Sequence, residues 1–410
     1  MMRNRRALLA ALAVDNFGSG LFLPLSLLYV TRVVRLPLAT AGTVVALGTL
    51  AGLAVPPVAG RLVDRAGPRL VVICAQLLQA LGAVTYLAAR GAAVVAVAAV
   101  LLAVGQQAFY SSLFALISDV AGAGPRDRPF AVAGMVRSAC FGLGGLAAGG
   151  LLTVAGPAGY RIAVLADAAS FAACALLLAL LVRIARPGHH GVPAAGDTLR
   201  LLSDRPFLAL IVVTSLIALP SDLFLSGMSV YDLARLHAPP WLPGAAVALL
   251  TALISTGATA AVRATGRLRR TTVMGLGAAL YVVWCAASLA AILVPPRWRP
   301  PELLAATVVL AAAGLLYQRA NALAEAVAPR AARGRYLAAF QYAFTVPGVI
   351  APGVVALFSV AVWLPWLLVG AGAALAAATL PWLAGRLPAE ALRPGTDAPP
   401  GKTALRGRAG

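Results

Sequence analysis

DNFGSG, Asp15 to Gly20, lies inside the first long apolar run of the chain, and DLFLSG, Asp222 to Gly227, lies inside the first such run of the second half. The two stretches share an Asp, a Phe and a Ser-Gly pair at one offset, 222 − 15 = 207, in a chain of 410 residues. A carboxylate in a membrane-length apolar helix costs about 2.5 kcal/mol or more near mid-bilayer, so its presence marks a functional position by default. Because this happens once in each half, the chain reads as two copies of one plan.

Composition agrees. Hydrophobic residues make up 61% of the chain and charged residues 11%, against roughly 25% charged in a soluble domain. The chain is therefore read as an all-α polytopic membrane protein whose solvent is the lipid bilayer. A net charge of +20 would by itself point to nucleic acid. The basic residues, however, sit in short alternate loops and not on a hydrophilic domain, which excludes nucleic acid as a partner. All four cysteines fall inside apolar runs, where no disulfide could tie the outer surface, and they are given no redox or metal role. The N-terminal MMRNRR precedes an apolar run of more than 20 residues with no small-residue cleavage site, so it begins a span and not a signal peptide.

A span needs about 20 mainly apolar residues. Cutting at charged and Pro/Gly punctuation gives twelve, at 7–30, 39–59, 70–89, 92–117, 130–154, 161–182, 207–230, 242–262, 273–294, 303–326, 336–359 and 362–387. Of the 33 Arg and Lys residues, 24 fall in the termini and even-numbered loops, seven on the other face, and only Arg137 and Arg319 within spans. By the positive-inside rule both termini are cytoplasmic, and the expected location is the plasma or inner membrane. The predicted organisation is an N-terminal six-helix bundle over 1–182, a linker over 183–206, a C-terminal six-helix bundle over 207–387 and a disordered tail over 388–410. His189 and His190 lie in the linker and are read as solvated.

The 207 offset extends beyond the first span. Tyr110 falls on Tyr317, Ala115-Leu116 on Ala322-Leu323 and Arg128 on Arg335. Two six-helix halves in the same orientation form a parallel repeat, which places a binding site near mid-membrane between them. The expected fold is thus twelve transmembrane helices in two pseudo-symmetric six-helix bundles.

Between the second and third spans the chain reads GRLVDRAGPRL. This resembles the loop signature of the major facilitator superfamily (MFS) of secondary transporters at Gly60, Asp64, Arg65, Gly67 and Arg69, with Leu70 where a further basic residue is expected. The resemblance implies that this loop latches one state of an alternating-access cycle. Gly60 and Gly67 permit a tight turn, and Asp64 lies near the positive end of the third helix. In the second half the matching loop, GRLRR, has no acid. The run GLGGLAAGG, Gly142 to Gly150, resembles the family's antiporter motif through Gly145, Gly149 and Gly150, with Leu146 in place of its Pro and Phe141 in place of its first Gly. Small residues also allow close helix approach, so packing is the alternative reading. The fourth span has Gln106 and Gln107 where many proton-coupled exporters of the family have an Arg.

The resemblance also implies that spans one, four, seven and ten line the cavity. Asp15 and Arg137 enter their helices from the same side to similar depth, ~12 Å and ~10 Å at 1.5 Å per residue, so they are expected to form a gating or structural charge pair. A paired carboxylate stays ionised, whereas an unpaired one in apolar surroundings can exchange a proton near neutral pH. Arg137 maps at 207 onto Phe344, so Asp222 lacks such a partner and is the better proton carrier, provided Arg319 does not pair with it. Gln106, Gln107 and Tyr110 on span four, and Tyr317, Gln318, Arg319 and Asn321 on span ten, form polar bands. With Asn16, Phe17 and Phe224 they are expected to line a cavity for a moderately apolar organic molecule. Asp167 is read as structural, and Asp119 and Glu325 as latch or topology residues at helix ends.

The function expected from this reading is proton-coupled export of a small organic or drug-like molecule, by a monomer, with the proton gradient and no cofactor as its energy source. Uptake of a small metabolite by symport or facilitated diffusion is the alternative. A polytopic enzyme or sensor would need a catalytic or metal-binding cluster, and no P-loop or metal-ligand spacing is present.

Overall fold

A computed structural model describes residues 2–121, 127–182, 203–329 and 333–392. Twelve helices in it are long and apolar enough to cross a membrane. They are α1 (Arg3–Arg32), α2 (Leu38–Val63), α3 (Pro68–Leu87), α4 (Ala92–Val120), α5 (Val132–Ala155), α6 (Pro157–Leu181), α7 (Arg205–Arg235), α8 (Leu242–Ala264), α9 (Arg270–Ala290), α10 (Pro296–Val327), α11 (Tyr342–Ser359) and α12 (Leu364–Ala384). The even number puts both ends of the chain on one face, the face with most of the Arg. That face is called the basic face below.

Helix boundaries follow local chemistry. Gly67 takes φ 81°, a left-handed value that breaks α2 from α3, and Pro68 then starts α3 where its missing N–H has no intrahelical partner to lose. Pro157, Pro206, Pro243 and Pro365 start α6, α7, α8 and α12 in the same way. Pro24 lies in a 3₁₀ turn, Leu23–Leu25, that interrupts α1.

The packing repeats. In the first half α1 lies against α5 and α6, and α3 against α4 and α6; in the second, α7 lies against α11 and α12, and α9 against α10 and α12. The closest correspondences reveal the register. Tyr29 on α1 donates its hydroxyl to the Tyr86 carbonyl at the end of α3 (3.0 Å), and Tyr231 on α7 donates to the Ser288 carbonyl near the end of α9 (2.6 Å). Here the offset is 231 − 29 = 202. Phe22, packed on Tyr86, maps at 202 onto Phe224, packed on Trp284. Arg35 and His237, the non-Gly residues at positive φ among those described, are also 202 apart, and each precedes a Pro by two residues.

Later spans are offset by 207. Gly42 on α2 meets Pro352 and Ala356 on α11, while Gly244 on α8 meets Gly145 and Gly149 on α5. The pairs Gly145/Pro352 and Gly149/Ala356 are each 207 apart. The extra five residues lie between α9 and α10, where a 3₁₀ turn, Pro296–Trp298, lengthens a loop that is short in the first half.

This register corrects the repeat that anchored the sequence reading. Asp15 and Asp222 are not equivalent positions, nor are Phe17 and Phe224. Measured from the equivalent tyrosines, Asp222 lies five residues, about 7 Å, nearer the face opposite the basic one.

The two halves meet along α5–α8 and α2–α11. Gly42, Gly244, Gly149 and Ala356 all lie toward the ends of their helices at the opposite face, so both seams are tightest there. Tyr342, at the start of α11, donates to the Leu53 carbonyl in the middle of α2 (3.1 Å). The molecule is thus closed at the opposite face, and the space between the halves lies on the basic side of the seams.

The first residues of the expected disordered tail differ from expectation. Ala389–Leu392 form a helical turn with Ala391 and Leu392 buried, and Arg270 donates to the Ala391 carbonyl (3.1 Å). The linker over 183–202, with His189 and His190, and the tail beyond 392 lie outside the described residues.

Candidate substrate site between the halves

A cavity of about 330 Å³ lies between the halves along the α5–α8 flank. The first half contributes its polar groups: Asn16 on α1, Tyr110 on α4, and Arg137 and Ser138 on α5. The second half contributes a mainly apolar wall from α7 and α8, including Leu225, Leu250 and Ile254, with Thr251 as its polar member. Phe141 completes the floor.

Arg137 is the cation of this cavity. Its guanidinium carbon stands 5.0 Å from the centre of the Tyr110 ring, the geometry of a cation–π contact. Its Nε is buried with no hydrogen-bond partner among the described residues. The expected charge pair with Asp15 is not formed. Asp15 is buried and turned into the first half, accepting from Gln76 Nε2 on α3 (2.8 Å) and from the neighbouring Asn16 Nδ2 (3.0 Å). Similar depth does bring the two charges within electrostatic reach of each other, but Asp15 gives its oxygens to Gln76 and Asn16 and no direct ion pair forms.

Around Asp15 lies a polar cluster that the sequence reading missed. Gln76 and Gln79 are buried, three residues apart on one face of α3, and Gln79 donates to Gln76 (3.5 Å). Asp167 on α6 is also buried, and its Oδ1 has no partner among the described residues. Two glutamines three apart on an apolar helix were the available sign.

In the second half, Asp222 is half-buried, and its Oδ1 is 3.9 Å from where a Cβ would sit on Gly348 of α11. Its carboxylate has no hydrogen bond or ion pair among the described residues. Nearby, Ser221 and Tyr281 share a hydrogen bond of 2.8 Å. Arg319 does not approach Asp222: it donates to the Val262 carbonyl (3.1 Å) and Thr265 Oγ1 (3.0 Å), tying α10 to the end of α8. Tyr317 is buried against Phe344 (6.0 Å between ring centres), with its hydroxyl unpartnered among the described residues.

The remaining expected cavity residues divide. Gln106 is exposed on the same face as Tyr110, one turn away, and Gln107 packs under Gly52 of α2. Gln318 and Asn321 are exposed at and after the break in α10, and Phe17 is exposed without lining the cavity. Phe224 is not among the residues lining this cavity; it is 2% exposed and packs edge-on to Trp284.

At the loop expected to latch, Gly60 has open space beside it, Arg65 is exposed and Gly67 makes the left-handed turn. The side chain of Asp64 lies outside the described residues. Arg69 works within its own half: its Nε donates to the Leu178 carbonyl (3.1 Å) and its Nη2 to the Ala179 carbonyl (2.6 Å) at the end of α6. Arg270, at the start of α9, serves the second half alike by donating to Ala391 beyond α12. Both cations satisfy carbonyls left open at a helix C-terminus.

A family model described as Major Facilitator Superfamily matches residues 8–294. No curated protein matches the chain. Among solved structures, the nucleoside transporter NupG superimposes with a TM-score of 0.74 at 12% identity, covering 92% of this chain and 98% of its own. A POT family transporter in complex with 5-aminolevulinic acid gives 0.73 at 11% identity, covering 93% and 96%. A variant of the peptide transporter POT in complex with sulfate gives 0.69 at 15% identity, covering 94% of each chain. At these identities the likeness is one of fold.

Proposed function

The chain belongs to the Major Facilitator Superfamily, and from that premise we propose that it carries a small organic metabolite across the membrane by alternating access, with Asp222 coupling the movement to protons. The observation that carries this reading is the cavity between the halves, polar on one wall and apolar on the other, on the basic side of two tight seams. A binding site at the interface of parallel repeats is what such a cycle needs. Opening the opposite face requires the α2–α11 and α5–α8 seams to part while the halves close on the basic side, where the loop of Gly60, Arg65 and Gly67 lies.

The molecules named with the similar structures are nucleosides, peptides and 5-aminolevulinic acid. They support a metabolite over a drug-like cargo, and the passage we propose for it is symport or facilitated passage. The glycine run on α5, which resembled an antiporter motif, has a packing reason here: Gly145 and Gly149 face Val247, Gly244 and Trp241 of the second half. It therefore argues for neither direction.

Asp222 is the carrier in this proposal because no cation or donor holds its charge, whereas Asp15 is fixed by Gln76 and Asn16. Counterflow in proteoliposomes tests the transport reading, using labelled nucleosides, dipeptides and small amino acids against the same compounds inside. Exchange of at least one class above protein-free vesicles is expected. Absence of exchange for every class would overturn the metabolite reading.

A further inference from the structure

We infer that the cargo is an organic carboxylate, received by Arg137 with its apolar body against α8. The inference rests on reading the inter-half cavity as the transport site. Three features of the cavity lead to it.

First, Arg137 brings a full positive charge into a membrane-spanning helix, and among the described residues no acid forms a direct ion pair with it; Asp15 lies within electrostatic reach, but its oxygens are engaged elsewhere. Its contact there is the Tyr110 ring, and its Nε has no acceptor. A cation in an apolar span is costly unless a counter-charge meets it. Guanidinium presents a planar fork of donors that matches a carboxylate two bonds at a time. The nearest acid in the sequence reading, Asp15, has one oxygen on Gln76 and the other on Asn16.

Second, the other polar groups accept or are neutral. Asn16 Nδ2 donates to the Leu12 carbonyl (2.9 Å) and to Asp15, so the side-chain carbonyl is the group it has left to offer. Thr251 Oγ1 donates back to the Val247 carbonyl (2.7 Å). One cation without a second suits a single negative charge.

Third, the facing wall of Leu225, Leu250 and Ile254 suits an apolar body. A volume of about 330 Å³ limits the cargo to a small molecule.

Ligand-induced thermal stabilisation of the full-length protein at neutral pH provides the test, with benzoate, 3-phenylpropionate and indole-3-acetate set against their primary amides and phenyl phosphate. Carboxylates are expected to stabilise and their amides to do so at least about tenfold less well by concentration. Arg137→Gln is expected to erase the difference, and Arg137→Lys to restore part of it. The acid–amide comparison within the wild-type protein stands even if a variant fails to fold. Amides binding as well as acids, phenyl phosphate binding more tightly than the acids, or neutral nucleosides exchanging through Arg137→Gln at the wild-type rate would each overturn the inference while leaving transport intact. Acids that bind in this Arg137-dependent way but never exchange in vesicles would overturn their standing as cargo and count against reading the cavity as a transport site.

Discussion

Tyr29 and Tyr231 hold the same place in the two halves of this molecule, each phenol donating to a main-chain carbonyl 57 residues downstream near the end of a neighbouring helix. The relationship defines which residues of the halves truly correspond. It also places two of the intramembrane acids, Asp15 and Asp222, at different depths.

If the two bonds are equivalent, removing them should have equal effects. Tyr29→Phe and Tyr231→Phe are each predicted to lose about 1 kcal/mol or somewhat more, since a buried carbonyl is left unpaired. Thermal denaturation measures both, and a large effect for one with none for the other would break the correspondence.

The seams make a second prediction. A Cβ at Gly42 would stand 2.7 Å from the Ala356 Cβ, and one at Gly244 would press on Gly145 and Gly149. Such overpacking costs roughly 1–3 kcal/mol, enough to favour the state in which the seams have parted. Distances between spin labels on the opposite-face ends of α2 and α11 should lengthen in Gly42→Ala, and those between α5 and α8 in Gly244→Ala. Unchanged distance distributions in both variants would deny the seams this role.

Gln76 tests the place of Asp15. Gln76→Leu leaves a buried carboxylate short of a donor, a loss of roughly 1.5–3 kcal/mol for a hydrogen bond to a charged group. The melting temperature should fall while the proton dependence of transport is kept. Loss of proton dependence with unchanged stability would move the coupling role to Asp15.

Much of this was legible in the sequence, because membrane solvation leaves a strong one-dimensional trace. Twelve apolar runs, alternating Arg-rich loops and repeated matches between the halves gave the helices and the two-half plan. Register was not, since the matches at 207 in the first span were four residues in a helix where small and aromatic types recur. The true correspondence rested on sparser marks, Arg35-Leu36-Pro37 against His237-Ala238-Pro239, whose shared feature is backbone conformation more than side-chain identity. Five residues between α9 and α10 then shift the offset. Partners were out of reach for a different reason: Asp15 meets Gln76 and Arg137 meets Tyr110 because of helix rotations set by packing, which depth along a helix does not encode.

The central claim, that protons drive the cargo through Asp222, is tested most directly by accumulation in proteoliposomes under an imposed proton gradient, comparing wild type with Asp222→Asn. The account predicts that wild type accumulates cargo with the gradient and equilibrates it without one, and that Asp222→Asn keeps counterflow but never accumulates. Accumulation by Asp222→Asn at the wild-type level would contradict it.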